Sequence, residues 1–143
     1  MFYVDTSLLA AYYCPEGLSE KAEIFLTTHS PLSISNLTEL EMFSALSRKV
    51  REKELNRPTA SRILAKFLSH LDGRFYTCFS VETQHFRLAR DWIGQLNTGL
   101  KSLDAIHLAV ASLEGARLAT ADRNLAESAK ILAMDAVLIE PNK

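Results

Sequence analysis

Apolar residues along this chain fall into short, nearly solid runs separated by longer stretches with helical spacing. Phe2-Tyr3-Val4, Leu32-Ser33-Ile34, Phe75 to Phe79, Leu118-Ala119-Thr120 and Ala136 to Ile139 read as strands. Helical patterns fill 6–13, 19–28, 36–54, 58–71, 82–97, 103–114 and 123–133. Pro31 and Pro58 mark boundaries, because proline is tolerated at a helix start but breaks a helix interior. Strands that are apolar throughout and alternate with helices imply a parallel sheet covered on both faces. No repeat, low-complexity tract or linker interrupts the pattern. The expectation is one α/β domain over residues 1–143, with a central parallel sheet of about five strands flanked by helices.

Composition narrows the classes of function. The 143 residues are 48% hydrophobic and 23% charged, ordinary for a globular domain with a sizeable core. The formal net charge is -1, so attraction for a polyanion has to come from a local patch. Cys14 and Cys78 belong to no CxxC or Cys/His metal pattern and read as reduced, partly buried thiols of a cytoplasmic protein. The N-terminus has no basic region, and Asp5 interrupts its first apolar run, so no signal peptide is expected. No apolar run approaches the ~20 residues that span a bilayer, so no membrane association is expected.

The candidate chemistry is acidic. Asp5 directly follows the first strand, and Asp122 stands between the 118–120 strand and the next helix. In an open parallel sheet, ligands bind beyond the carboxyl ends of the strands. Both residues are equally well placed to cap the helices they precede. Asp104 opens DAIHLAVASL, a helix apolar almost all round and therefore buried. With Ser102 as the expected N-cap, Asp104 lies in the first turn, where the helix dipole favours its charge by ~0.3–1 kcal/mol.

Glu41 shares a roughly 140° arc with Leu37, Leu40, Ser44 and Ala45 when the helix is drawn at about 100° per residue. A glutamate on such a face needs a partner, either an arginine or a metal. Glu39 projects oppositely and stands three residues after Asn36, an expected capping box. Four carboxylates brought together would repel without counter-charge. Divalent cations with a preference for oxygen, Mg²⁺ or Mn²⁺, neutralise them and suit in-line phosphodiester hydrolysis.

Four segments carry a resemblance: FYVDTSLL at 2–9, ISNLTELEMFSAL at 34–46, LDAIHLAVA at 103–111 and LATADRNLAESA at 118–129. In this order and spacing the chain resembles the PIN-domain ribonucleases, in particular the VapC-like toxins of toxin–antitoxin pairs. The resemblance implies metal-binding and catalytic roles for Asp5, Glu41, Asp104 and Asp122, a Mg²⁺ or Mn²⁺ cofactor, an RNA substrate, an antitoxin protein partner and a homodimer. The family's motif of Ser, an aliphatic-Thr pair and a Glu three residues on is met by Ser35, Leu37, Thr38 and Glu41. The family's glycine after the last helix is absent, with ILAMDAV in its place, which leaves the last turn open.

Other residues have two readings each. His107 is three residues after Asp104 and reads mainly as a satisfied core histidine, with a catalytic or ligand role as the alternative. Thr6, Ser7 and Thr120 suit either turn hydrogen bonds or the orientation of carboxylates and water. Between Arg48 and Lys66, seven cations face only Glu52 and Glu54. That is either a solvated helical face or a patch steering RNA phosphates.

Other enzyme classes fit poorly. A haloacid-dehalogenase-like phosphatase needs an acid where Ser7 stands, and a receiver domain needs a lysine where Glu140-Pro141 follow the last strand. No P-loop or GxGxxG is present. The alternative outside catalysis is a catalytically silent PIN-like module that binds RNA or protein.

Overall fold

The computed structural model describes residues 1–15 and 18–140, so Pro141 lies outside the described residues. The strands are β1 (Phe2–Val4), β2 (Leu32–Ser35), β3 (Tyr76–Phe79), β4 (Arg117–Thr120) and β5 (Ala136–Leu138). They form one sheet in the order β3-β2-β1-β4-β5, every neighbouring pair parallel. The helices are α1 (Thr6–Tyr13), α2 (Ser19–Thr28), α3 (Asn36–Arg51), α4 (Arg57–Asp72), α5 (Thr83–Ile93), α6 (Ser102–Leu113) and α7 (Arg123–Ile131). This is the α/β architecture the hydrophobic pattern implied.

Successive strand residues point to opposite faces, and the two faces have separate cores. Val4, Ile34 and Ala119 pack with α1, α2, α3 and α4. Tyr3 and Leu118 pack with α5, α6 and α7. Strand order runs outward from β1 to β3 on one side and steps to β4 on the other. The gap between the carboxyl ends of β1 and β4 is therefore a topological switch point, where such sheets open a crevice.

Some local expectations change. α3 is capped by Ser35, whose side chain accepts from the Thr38 backbone while Thr38 accepts from the Ser35 N–H. The box is thus Ser35–Thr38, not Asn36–Glu39, because the chain is still extended at Ser35 (ψ 171°). The buried stripe of α3 is Thr38, Met42 and Leu46, whereas Leu40 is 68% exposed. Glu41 lies between that stripe and Leu37, which packs partly buried against the second core, so only the Leu40 side of its face is exposed.

Ser102 is the first residue of α6, and the N-cap position belongs to Lys101 without a side-chain cap. α3 and α5 stop short of the expected 54 and 97. Left-handed Lys53 (φ 62°) and Leu96 (φ 59°) turn the backbone out of the helical path. Cys14 is buried, but Cys78 is exposed rather than partly buried. Among the described residues, no helix is long and apolar enough to cross a membrane.

Candidate active site

Asp5 leaves β1 in extended conformation and caps α1, its Oδ1 accepting from the Leu8 N–H at 3.2 Å. The Ser7 hydroxyl donates to the same oxygen at 2.7 Å, and the Thr120 hydroxyl donates to Oδ2 at 2.7 Å. Thr120 Oγ1 accepts in turn from the Asp122 N–H at 2.9 Å, and Ser7 Oγ from the Ala121 N–H at 3.0 Å. These bonds stitch the ends of β1 and β4 across the switch point. Ser7 and Thr120 therefore serve both of the roles open to them, as turn residues and as orienters of a carboxylate. Among the described residues the Thr6 hydroxyl bonds only a carboxylate, that of Glu41.

Asp122 caps α7, accepting from Asn124 and Leu125 N–H groups. Asp104 sits at the first turn of α6, and no hydrogen bond among the described residues uses its carboxylate. Both acids line a small cleft of about 40 Å³ with Leu100, Lys101, Asn124 and Ser128. Larger hollows lie elsewhere, about 420 Å³ between α7 and β5 and about 660 Å³ between α3 and α4. The chemistry, rather than the volume, singles out the acidic edge.

Glu41 reaches the same edge from α3. Thr6 Oγ1 donates to its Oε1 at 2.7 Å, and His107 Nε2 bonds the same oxygen. Behind the histidine, its Nδ1 meets the Tyr3 hydroxyl at 2.6 Å. Tyr3 also meets Ser35 Oγ at 2.8 Å and Thr38 Oγ1 at 3.2 Å. His107 is indeed a satisfied buried histidine, but one of its partners is a site carboxylate. Tyr3, which the sequence offered only as a strand residue, is the site-linked group that pattern reading missed. Its one signal was a hydroxyl-bearing ring in an otherwise apolar strand.

The charges follow from these surroundings. Burial pushes the Asp5 carboxyl up, against the Thr120 and Ser7 hydroxyls. Burial likewise raises Asp104, helped by the negative charges of Asp122 and Glu41. For Glu41 burial also pushes upward, but the hydrogen bonds from His107 and Thr6 outweigh it, leaving the carboxyl below its ordinary value. Burial lifts the Tyr3 phenol to about 12, so it keeps its proton.

Among the described residues, no group of three or more His, Cys, Asp or Glu side chains is gathered tightly enough to hold a metal ion. The four carboxylates thus form an acidic edge, not a finished cage. Its donors are all carboxylate oxygens, which fits a hard divalent cation. The mutual repulsion at Asp104 is what such a cation would relieve.

A five-stranded parallel sheet covered by helices on both faces, with carboxylates along its switch-point edge, defines an open α/β domain. The chain belongs to the PIN-domain family, whose family model matches residues 2–131. It is 31% identical over 124 residues to Ribonuclease VapC3 of Pyrobaculum aerophilum, spanning 87% of this chain and 91% of that one. Its fold is similar to that of VapC20 of Mycobacterium tuberculosis, a toxin that cleaves the sarcin-ricin loop, with TM-score 0.70 and 20% identity over 90% of this chain and 95% of that one. It is also similar to VapBC2 of Rickettsia felis bound to promoter DNA, with TM-score 0.68 and 16% identity over 99% and 100% of the two chains.

Proposed function

We propose that this chain is a divalent-metal-dependent endoribonuclease that hydrolyses RNA phosphodiester bonds and acts in the cytoplasm as the toxin of a toxin–antitoxin pair. The observation that carries this reading is the electrostatic coupling of Asp104 to Asp122 and Glu41, at the sheet edge where Asp5 ends β1. The match to the PIN family and the likeness to a named ribonuclease support the same reading. The likeness to VapBC complexes supports an antitoxin partner, and the family resemblance implies a homodimer. Residues 1–143 then act as one PIN-like domain.

Asp5, Asp104 and Asp122 would hold Mg²⁺ or Mn²⁺, with Glu41 completing the acidic set. Bound there, the cation supplies charge neutralisation at the phosphate and a more acidic water. The chain's own contribution is placement. Thr6 and His107 both engage Glu41 Oε1, and no hydrogen bond among the described residues uses Oε2. Ser7 and Thr120 fix both oxygens of Asp5. Glu41, held below its ordinary value, stays ionised and keeps Oε2 as an acceptor for a cation.

The test is cleavage of a labelled single-stranded RNA with Mg²⁺ or Mn²⁺, with EDTA as control. Cleavage should fall at least about 100-fold in Asp104→Asn, the order expected when a group that stabilises the transition state is lost. Equal cleavage by the variant would overturn the site. A catalytically silent binding module is the second reading, favoured because hydrogen bonds already engage Asp5, Glu41 and Asp122. RNA binding without turnover in either protein would establish it.

A further inference from the structure

The hydrogen bonds behind Glu41 form a continuous chain that crosses the sheet. Ser35 and Thr38, at the start of α3, both reach the Tyr3 hydroxyl. Tyr3 reaches His107 Nδ1, and His107 Nε2 reaches Glu41 Oε1. Tyr3 is fully buried and His107 is 2% exposed, so neither can exchange these partners for water. Every buried side-chain nitrogen and oxygen among the described residues has a partner, so altering one bond here leaves a buried group unmatched.

The direction of each bond follows from what each group can donate. An ionised carboxylate only accepts, so His107 Nε2–H donates to Glu41. With the ring neutral, Nδ1 is then an acceptor and takes the Tyr3 O–H. The Tyr3 oxygen in turn accepts from the Ser35 and Thr38 hydroxyls. The backbone N–H groups of Thr38 and Ser35 close the other side of this knot through the capping box. One tautomer and one orientation of the ring satisfy all of these bonds.

We infer that Tyr3 and His107 are positioning residues for the acidic edge: a buried brace, anchored on the α3 capping box, that fixes the rotation of the Glu41 carboxylate and presents Oε2 to a divalent cation. Two tethers on one oxygen explain how a glutamate can reach the edge from α3 and still hold one orientation. The same brace gives Ser35 and Thr38 a role in the site, because the residues that start α3 also hold Tyr3. The inference rests on the metal-site reading above, and it concerns only how Glu41 is held.

The experiment is Mn²⁺ titration by calorimetry on the full chain, with Tyr3→Phe, His107→Gln, His107→Ala, Glu41→Gln, Asp5→Asn and Tyr13→Phe compared with the wild type. Tyr13 is the control for lost stability. Its buried hydroxyl also bonds a histidine and a second hydroxyl, His70 and Tyr76, in a cluster on the other face of the sheet. Tyr3→Phe should weaken Mn²⁺ affinity on the order of tenfold, the scale seen when a residue supporting a ligand is lost. Tyr13→Phe should leave affinity unchanged even where its melting temperature falls as much. His107→Gln keeps an N–H donor for Glu41 and should lose less affinity than His107→Ala. In a Glu41→Gln background, Tyr3→Phe should add no further loss.

Loss of affinity in Glu41→Gln alone, with Tyr3→Phe and both His107 variants binding like the wild type, would overturn the brace and leave the metal site standing. A wild type that binds Mn²⁺ no better than Glu41→Gln or Asp5→Asn would retire the metal site and the brace together.

Discussion

Asp104 is a carboxylate whose surroundings work against its charge. The dipole of α6 favours the anion, yet burial and the charges of Asp122 and Glu41 outweigh it and raise the carboxyl. A raised folded-state value means that the folded chain binds the proton more tightly than the unfolded chain does. The resulting stabilisation is fully present below the ordinary carboxylate value and is lost as pH rises through the raised one. In EDTA at neutral pH, Asp104→Asn should therefore melt higher than wild type, and the gain should vanish below the ordinary carboxylate range. Thermal melts across that range check this, and a variant that melts lower at neutral pH would contradict it. Glu41 has the opposite sign, because its partners hold it ionised. The residue pattern chose Glu41 over Glu39, and Glu41 is the one that meets Thr6 and His107, although the arc used to choose it included the exposed Leu40. Spacing orders residues around a helix but does not say which side meets the core.

At the scale of elements, strand and helix order was legible because each signal is local. Short β-rich runs and helical periods do not depend on what packs against them. The caps were less legible, since Asn36 and Ser102 have capping chemistry but the backbone enters the helix one residue away. The turn after α7 lacks the expected glycine, yet it keeps the glycine geometry. Ala133 adopts φ 58°, and the Met134 N–H reaches the Ala129 carbonyl at 2.8 Å while the Ala133 N–H reaches Lys130 at 3.0 Å. The end of α6 repeats this arrangement with Gly115 at φ 71°. An alanine in the left-handed region is strained by about 1 kcal/mol relative to glycine, and Ala133 is exposed. Ala133→Gly should consequently stabilise the chain by about 1 kcal/mol, read as a higher urea midpoint at unchanged slope. An unchanged or lower midpoint would show that the turn is not strained.

Across the whole molecule, charge is unevenly placed. Glu52 is paired with Arg48 at 3.2 Å and Glu54 with Lys49 at 3.3 Å, which leaves Arg51, Lys53, Arg57 and Arg62 exposed around the α3–α4 turn. Arg51 follows Glu41 by ten residues, about 15 Å along a helix, so this patch would steer an RNA strand from outside the acidic edge. Arg51→Gln with Lys53→Gln should weaken RNA binding and flatten its dependence on log salt by about 1.4, roughly 0.7 for each cation on a single strand. Binding measured between low and physiological salt tests this, and an unchanged slope would assign the patch to solvation alone.

The sequence by itself determined the alternation of strands and helices, the four acidic candidates and the family resemblance, because these depend on residue type and short spacing. Only the tertiary structure decided that β1 and β4 are neighbours. That adjacency brings Asp5 beside Thr120 across an interval of 115 residues and puts Tyr3 and His107 behind Glu41. Contacts of that kind come from strand order and from which face each strand residue turns to, and a linear pattern carries neither.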